Sequence, residues 1–202
     1  MRLRVTAAEA ARRRLRETTV WSGDRLATLH WWSDAELLRL LGPALAELHA
    51  PSEANLVAGA QSSGYLLAPL TATTLGVGML GIQKLPRPDG SITLATATEM
   101  PGPGDRVLLV DDVVETGAQA LAIRDLVTST GAEWLGAAAM VTYRDVPGLN
   151  LKALVHIDEL RYGSFLDLVV DLCAKPAMLG SLTAIDPEPR SVSCLNLDRR
   201  SR

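Results

Sequence analysis

Asp111 and Asp112 stand side by side after the aliphatic run VLLV, and two valines later come Glu115, Thr116, Gly117, Ala118 and Gln119. Two neighbouring carboxylates with ordinary pKa values of about 4 are both ionised at neutral pH, and they repel unless a cation or hydrogen-bond donors lie beside them. A hydrated Mg²⁺ or a pair of sugar hydroxyls meets that need. Gly117 lets the backbone approach a ligand closely, and successive N–H groups at the start of a helix form an anion pocket. Carboxylates for a metal or for sugar hydroxyls, next to a cradle for phosphate, describe a sugar phosphate as the ligand. A plain strand end or a plain helix cap would explain either half alone, but the two together after a fully apolar run point to a site.

These side chains need a scaffold, and the flanking sequence supplies one. A strand that is aliphatic on both faces belongs in the middle of a parallel sheet, so the two aspartates fall at its carboxyl end, where open α/β sheets bind ligands. The surrounding segments alternate between strand and helix patterns, as in a parallel sheet covered by helices. Strands are expected over 55–60, 78–83, 106–111, 134–142 and 153–156, and helices over 64–75 and 118–130. Ser33 and Glu36 make a capping-box pattern ahead of LLRLLGPALAELHA, a helix that Pro43 should kink or restart. The turn-rich segment 84–105, with the alternating SITLATATE at its centre, reads as an excursion from the sheet. The expected organisation is an N-terminal arm or helix over 1–24, one α/β domain over 25–186, and a loose tail over 187–202 with little to bury. Arg12, Arg13, Arg14 and Arg16 place a polar, solvated surface on the arm.

The bulk composition limits the function classes. The 202 residues are 48% hydrophobic and carry 20 Lys+Arg against 23 Asp+Glu, a near-neutral balance that argues against broad electrostatic capture of nucleic acid. Cys173 and Cys194 lie in unrelated contexts, without paired spacing for a metal or a disulfide framework, and read as reduced thiols of a cytoplasmic protein. No apolar run approaches the roughly 20 residues that span a bilayer, so no membrane partner is expected. The Arg-rich start contains Glu9 and Glu17, which argues against a transit peptide.

At VLLVDDVVETGAQA the chain resembles the type I phosphoribosyltransferases, whose phosphoribosyl pyrophosphate signature is an aliphatic strand, two acidic residues, a short loop and Thr-Gly before a helix. GAQSSGYLLAPLTATTLGVGMLGIQK and GDRVLLVDDVVETG are similar to the adenine (purine) branch of that family, and the likeness runs from about Trp31 to about Thr142. The resemblance implies a single Rossmann-like α/β domain with a central parallel sheet and a small hood from the N-terminal region. It implies that Asp111 and Asp112 hold the ribose hydroxyls or a Mg²⁺ ion, and that Glu115, Thr116, Gly117, Ala118 and Gln119 grip the 5-phosphate. Ala60, Gln61, Ser62 and Ser63 would form the pyrophosphate loop. Lys84 would face the diphosphate and join Asp111 and Asp112 as a catalytic residue.

The implied reaction moves the ribose 5-phosphate group of phosphoribosyl pyrophosphate to a purine-like base such as adenine and releases pyrophosphate, with Mg²⁺ as cofactor and a homodimer as the assembly. Three departures stand out: Gln119 where the family often has a hydroxyl, Ser63 where it commonly has Arg or Lys, and a segment 84–105 shorter than the family's hood loop and without its Ser-Tyr pair. The alternatives are a regulatory protein that binds phosphoribosyl pyrophosphate or a nucleotide without turnover, and a phosphoribosyl-nucleotide hydrolase. Outside the signature, Trp31, Trp32 and Tyr65 are read either as core or as a stacking wall for the base. His156, Glu159, Arg161 and Tyr162 could lie near that base, and Arg87 and Glu99 could reach over the ligand.

Overall fold

Val107 to Val110 have to bury both faces, and the structure puts them at the centre of a six-stranded sheet. It is a computed structural model and describes residues 5–97 and 99–161. The expected tail over 187–202, Cys173, Cys194 and Tyr162 lie outside the described residues.

The chain begins with α1 (Ala7–Thr18), a short hairpin of β1 (Trp21–Ser22) and β2 (Arg25–Leu26), a 3-10 helix over Thr28–Ser33, and α2 (Ala35–Leu48). The sheet follows as β3 (Leu56–Ala60), β4 (Gly78–Pro86), β5 (Ile92–Thr96), β6 (Arg106–Val114), β7 (Glu133–Thr142) and β8 (Leu151–His156). Helix α3 (Gly64–Leu75) connects β3 to β4, and α4 (Ala118–Thr128) connects β6 to β7. The spatial order is β5-β4-β3-β6-β7-β8, parallel throughout except for β5, which pairs antiparallel with β4. The chain moves outward from β3 to β4, then returns to lay β6 on the other side of β3. The order therefore reverses between β3 and β6, and it is at such a reversal that an α/β sheet opens a crevice for ligands.

The two-sided apolar pattern of β6 is the reason it sits there. Val107 and Leu109 join the core on the α4 side with Ile123 and Val127, whereas Val110 joins the core built by α1, α2 and α3 with Leu41, Leu45 and Leu67. Burying one such aliphatic side chain stabilises by about 1.5–3 kcal/mol, so a polar residue within 107–110 would cost the sheet its centre. Close backbone approach fixes α3 on the same strands. A Cβ on Gly59 would lie 2.1 Å from the Gly64 carbonyl oxygen, and one on Gly64 would lie 3.4 Å from that of Val110.

Several expectations change. Strand β6 continues past Asp111 to Val114, because Val113 and Val114 still pair with Val141 and Thr142 of β7. The first part of segment 84–105 does not leave the sheet: β4 runs on to Pro86, turns, and returns as β5 through Thr96. Helix α2 is capped by Asp34, whose carboxylate accepts the Leu37 N–H at 2.7 Å, while the Ser33 hydroxyl donates to the His30 carbonyl. The helix does not restart at Pro43, which is exposed, so water can reach the carbonyl that its missing N–H leaves unpaired.

Helix α1 packs against α2 and β8 with Ala8, Ala11 and Leu15 buried, and a Thr6–Glu9 capping box starts it. Its arginines are engaged rather than free. Arg14 pairs with Asp34 at 2.6 Å, Arg16 pairs with Glu159, and Arg12 Nε donates to the Leu154 carbonyl. Among the described residues no helix is long and apolar enough to cross a membrane.

Candidate functional site

The crevice at the sheet's reversal is made by a difference in strand length. Strand β3 ends at Ala60, with its last pairing to β6 at Gly59 and Val110, while β6 runs four residues further. On its β7 side Asp111 still faces Ala139. On its β3 side, Asp111 and Asp112 have passed the end of the neighbouring strand.

The first oxygen of each carboxylate turns back to the chain. Asp111 Oδ1 accepts the Asp112 N–H at 3.0 Å, and Asp112 Oδ1 accepts the Val113 N–H at 2.9 Å. Beyond these bonds the two carboxyl groups meet only each other, within reach to share a proton, and no basic side chain bonds either of them among the described residues. Burial first, and then the adjacent Asp112 charge, push the Asp111 carboxyl up to about 7, with the Lys84 ammonium pulling the other way. Such a pair lowers its own energy by taking up a cation or hydroxyl donors.

Beyond the strand the chain makes the anion pocket. Gly117 adopts φ +78°, and a Cβ there would come within 2.6 Å of Val146, so the turn into α4 needs glycine on both counts. The Thr116 hydroxyl accepts the Ala118 N–H at 3.3 Å, and the first N–H of the helix to reach a backbone carbonyl is that of Leu121, bonded to Gly117 at 2.9 Å. The Gln119 and Ala120 N–H groups are thereby left for a ligand, as at any helix start. Asp111, Glu115, Thr116, Gly117, Ala118 and Gln119 line one cavity of about 200 Å³.

A second cavity of about 610 Å³ adjoins it through Val113 and Glu115, has Asp112 in its wall, and is roofed by Asp24, Arg25 and Leu26 of the β1–β2 hairpin. Tyr143 and Arg161 close its side. Arg161 stacks over the Trp21 ring, 5.2 Å from its centroid, which ties this wall to the hairpin.

The loop 60–63 leaves β3 at the level of the aspartates. Gln61 donates its N–H to the Ile82 carbonyl and accepts the Lys84 N–H on its side-chain oxygen, both at 3.0 Å; the Gln61–Ser62 peptide is cis. Ser63 starts α3 without a side-chain capping bond, and the Ser62 and Ser63 hydroxyls have no partner among the described residues. Ala60, Gln61, Ser62, Ser63 and Lys84 line neither cavity, although the Lys84 charge is felt at Asp111.

The remaining candidates divide clearly. Trp31 is fully buried with its indole N–H toward the Thr19 hydroxyl, Trp32 packs on the same core, and Tyr65 lies over Gly81, so none of the three lines the larger cavity. His156 bonds the Tyr143 carbonyl through Nε2 and the Asp158 N–H through Nδ1, which occupies both ring nitrogens. Glu159 pairs with Arg16, and Arg87 donates to Thr93 within its own hairpin. Glu99 is exposed and lines neither cavity. Arg161 is where a site residue would be, and Asp24, Arg25 and Tyr143 join it without having been singled out in the sequence. Tyr143 could have been found from its place directly after a predicted strand.

A mostly parallel sheet with this reversal and a small N-terminal hairpin is the architecture of the type I phosphoribosyltransferases. The solved adenine phosphoribosyltransferase of Rhodothermus marinus superposes with a TM-score of 0.63 at 26% identity, over 72% of this chain and 98% of that one. In sequence, the adenine phosphoribosyltransferase of Burkholderia cenocepacia is 31% identical over 126 residues, 56% of this chain and 67% of the relative. That of Frankia casuarinae is 36% identical over 129 residues, 58% and 69% of the two chains. No family model matches the sequence. On these relatives the chain belongs to the phosphoribosyltransferase family of pentosyltransferases, in its adenine branch.

Proposed function

We propose that this protein transfers the 5-phosphoribosyl group of phosphoribosyl pyrophosphate to a ring nitrogen of a purine-like base, adenine first among the candidates because its relatives carry that name. The observation that carries the reading is the continuous crevice: Asp111 opens onto the same cavity as the free N–H groups of α4, and Asp112 opens onto the larger cavity that adjoins it. In the reaction, the base nitrogen forms a bond to the anomeric carbon as the bond from that carbon to the pyrophosphate oxygen breaks. The pyrophosphate leaves with the bonding pair, and the base gives up its nitrogen-bound proton. An enzyme contributes mainly by holding the two partners in line and stabilising the leaving anion.

The residues take their roles from their chemistry. Thr116, Gly117, Ala118 and Gln119 hold the 5-phosphate by N–H groups and the Thr116 hydroxyl, with Glu115 at the rim. Asp111 and Asp112 accept the ribose hydroxyls or hold Mg²⁺. Ala60, Gln61, Ser62 and Ser63 border the diphosphate, with Lys84 as the cation. The hairpin, Tyr143 and Arg161 enclose the base.

The donor set fits Mg²⁺: two adjacent carboxylates that face each other with no basic side chain bonded to either, Asp111 held up by burial and the like charge of Asp112, suit a hard divalent ion. Among the described residues there is no group of three or more His, Cys, Asp or Glu able to hold a metal. The ion would therefore be shared between these carboxylates and ligand oxygens, the usual arrangement for Mg²⁺. When bound it supplies charge neutralisation to the diphosphate. The same reading makes the protein a cytoplasmic homodimer, which light scattering on the purified protein checks for its assembly.

The test is incubation with phosphoribosyl pyrophosphate, Mg²⁺ and a panel of bases, followed by pyrophosphate release and detection of the nucleoside monophosphate. Release that depends on adenine or another purine supports transfer. Tight binding of phosphoribosyl pyrophosphate without release for any base would overturn transfer in favour of a binding protein, the reading that the uncharged Ser63 favours. Base release from a nucleotide without pyrophosphate would indicate hydrolysis.

A further inference from the structure

The hairpin side of the larger cavity carries charges of both signs. Ser22 pairs with Arg25, so Gly23 and Asp24 form the two-residue turn of the hairpin, with Gly23 at φ +60°, and both Asp24 and Arg25 line the cavity. Arg161 joins them from the far end of the described chain and is tied there twice. Its guanidinium stacks over the Trp21 ring, 5.2 Å from the centroid, and the neighbouring Leu160 carbonyl accepts the Trp21 indole N–H at 3.4 Å. A stacked guanidinium keeps its N–H donors at its rim, and none of those of Arg161 has an acceptor among the described residues. Asp24 and Arg25 are equally without a partner there, although Asp24 and Arg161 line both this cavity and a smaller one of about 210 Å³ with Trp21 and Gly23. A carboxylate and two guanidiniums share one wall without pairing with each other.

Purines differ in what their edges offer to such groups. A guanidinium fork fits two adjacent acceptors, the O6 and N7 of a 6-oxopurine, whereas the N6 amine and N7 of adenine set a donor beside an acceptor, which an asparagine or glutamine amide matches. Two guanidiniums line this cavity and, among the described residues, no asparagine or glutamine does. Asp24 adds the complementary half: the N1–H of a 6-oxopurine, joined in guanine by the 2-amino group, donates to a carboxylate, whereas N1 of adenine is an acceptor. A purine joined to ribose beside Asp112 turns its six-membered ring away from the sugar, toward the hairpin. We propose that the acceptor base is a 6-oxopurine, read at O6 and N7 by the Arg161 guanidinium and at its N1–H edge by the Asp24 carboxylate. This rests on the phosphoribosyl-transfer reading above and changes only its base: the name of the relatives puts adenine first, and the charges of this wall favour an oxo edge.

Pyrophosphate release from phosphoribosyl pyrophosphate and Mg²⁺ is measured with adenine, hypoxanthine, guanine and xanthine in turn. In the wild-type protein at least one 6-oxopurine is expected to exceed adenine in kcat/KM by about ten-fold or more, the scale of one bidentate contact. Arg161→Gln exchanges the fork for an amide, and should lose about ten- to a hundred-fold for the best 6-oxopurine while adenine changes by less than about three-fold. Arg161→Lys keeps the charge without the fork and should give up most of the same preference. The ratio between bases is the readout, because a loosened hairpin would lower turnover of all four alike, and thermal melting monitors the fold.

A wild-type protein that prefers adenine, or treats the four bases alike, overturns this inference and leaves phosphoribosyl transfer standing. A 6-oxopurine preference that survives both Arg161 substitutions overturns the role given to Arg161. Release with none of the bases overturns the proposed function, and this inference with it.

Discussion

Asp111 joins the sensitivity of the site to the stability of the fold. Its carboxyl is raised to about 7 by burial and by Asp112, against about 3.9 in an unfolded chain. Between these values the folded state binds the extra proton, so stability contributed through this group falls as pH rises from about 4 to 7 and stays lost above. Asp111→Asn removes the charge that is costly there. In the absence of metal and ligand, the variant should melt above wild type at pH 8 and close to it at pH 4, with a gain of about 2–4 °C per kcal/mol recovered. Calorimetric melts at the two pH values check this, and a variant that melts below wild type at pH 8 would show that Asp111 is stabilised by its surroundings. The same carboxylate should be indispensable for binding. Asp111→Asn with Asp112→Asn is expected to abolish measurable titration of phosphoribosyl pyrophosphate while the fold is kept, and unchanged affinity would remove the pair from the site. A site that costs stability when empty and is repaid by its ligand is what a cation- or hydroxyl-binding carboxylate pair should look like.

At the scale of elements, helix α2 is tied to the sheet by His49 at its end, where Nε2 meets the Ala137 carbonyl at 3.0 Å on β7. Burial, with some help from Lys152, keeps the His49 pKa below its usual value despite that bond. The unfolded chain takes up the proton first, so this contribution is full above about pH 6.5 and is lost as pH falls below it. Urea midpoints at pH 7.5 and 5.5 should therefore differ more for wild type than for His49→Gln, which can still donate to Ala137 but does not titrate; the slope removed is at most about 1.4 kcal/mol per pH unit. Identical pH dependence in the two proteins would show that His49 protonates freely. How much of such architecture is legible in the sequence depends on what decides each element. Where apolar periodicity and a glycine decide, the reading holds: the helix expected over 64–75 is α3, Gly64–Leu75, because Gly76 ends it in a left-handed turn. Where a neighbour decides, it does not. Two aspartates read as the end of a strand, but pairing with Val141 and Thr142 carries β6 on through Val114. Arg12, Arg14 and Arg16 read as a solvated face, but Asp34, Leu154 and Glu159, distant in sequence, hold them against the body. The site divides in the same way. The 111–119 motif is local and readable, whereas Asp24, Arg25 and Arg161 reach their cavity through the packing of segments more than a hundred residues apart.

For the molecule as a whole, the proposed ligand lies across the reversal between β3 and β6, and the two banks of that crevice are unequally equipped. The β6 bank offers a pair of carboxylates, the free N–H groups of α4 and a glycine turn braced on Val146. The β3 bank offers an amide, two hydroxyls and, one strand away, Lys84. Affinity should therefore divide unevenly between the two ends of phosphoribosyl pyrophosphate. Ribose 5-phosphate at a hundred times its Kd should stabilise the fold by about 2.7 kcal/mol and shift the melt by about 5–10 °C, whereas pyrophosphate at the same concentration should shift it less. Adding a guanidinium to the poorer bank should correct the imbalance. Ser63 already begins α3 without a capping bond, so Ser63→Arg gives up no hydrogen bond seen among the described residues. A charge-assisted contact to the diphosphate is worth about 1.5–3 kcal/mol, so the variant should bind pyrophosphate about ten-fold tighter or better while ribose 5-phosphate affinity stays the same. Thermal shifts with each ligand alone read both halves of the argument. A Ser63→Arg protein that gains nothing for pyrophosphate would mean that the β3 bank does not face the diphosphate. The anionic end of the ligand would then have to lie toward the hairpin, against Arg25 and Arg161.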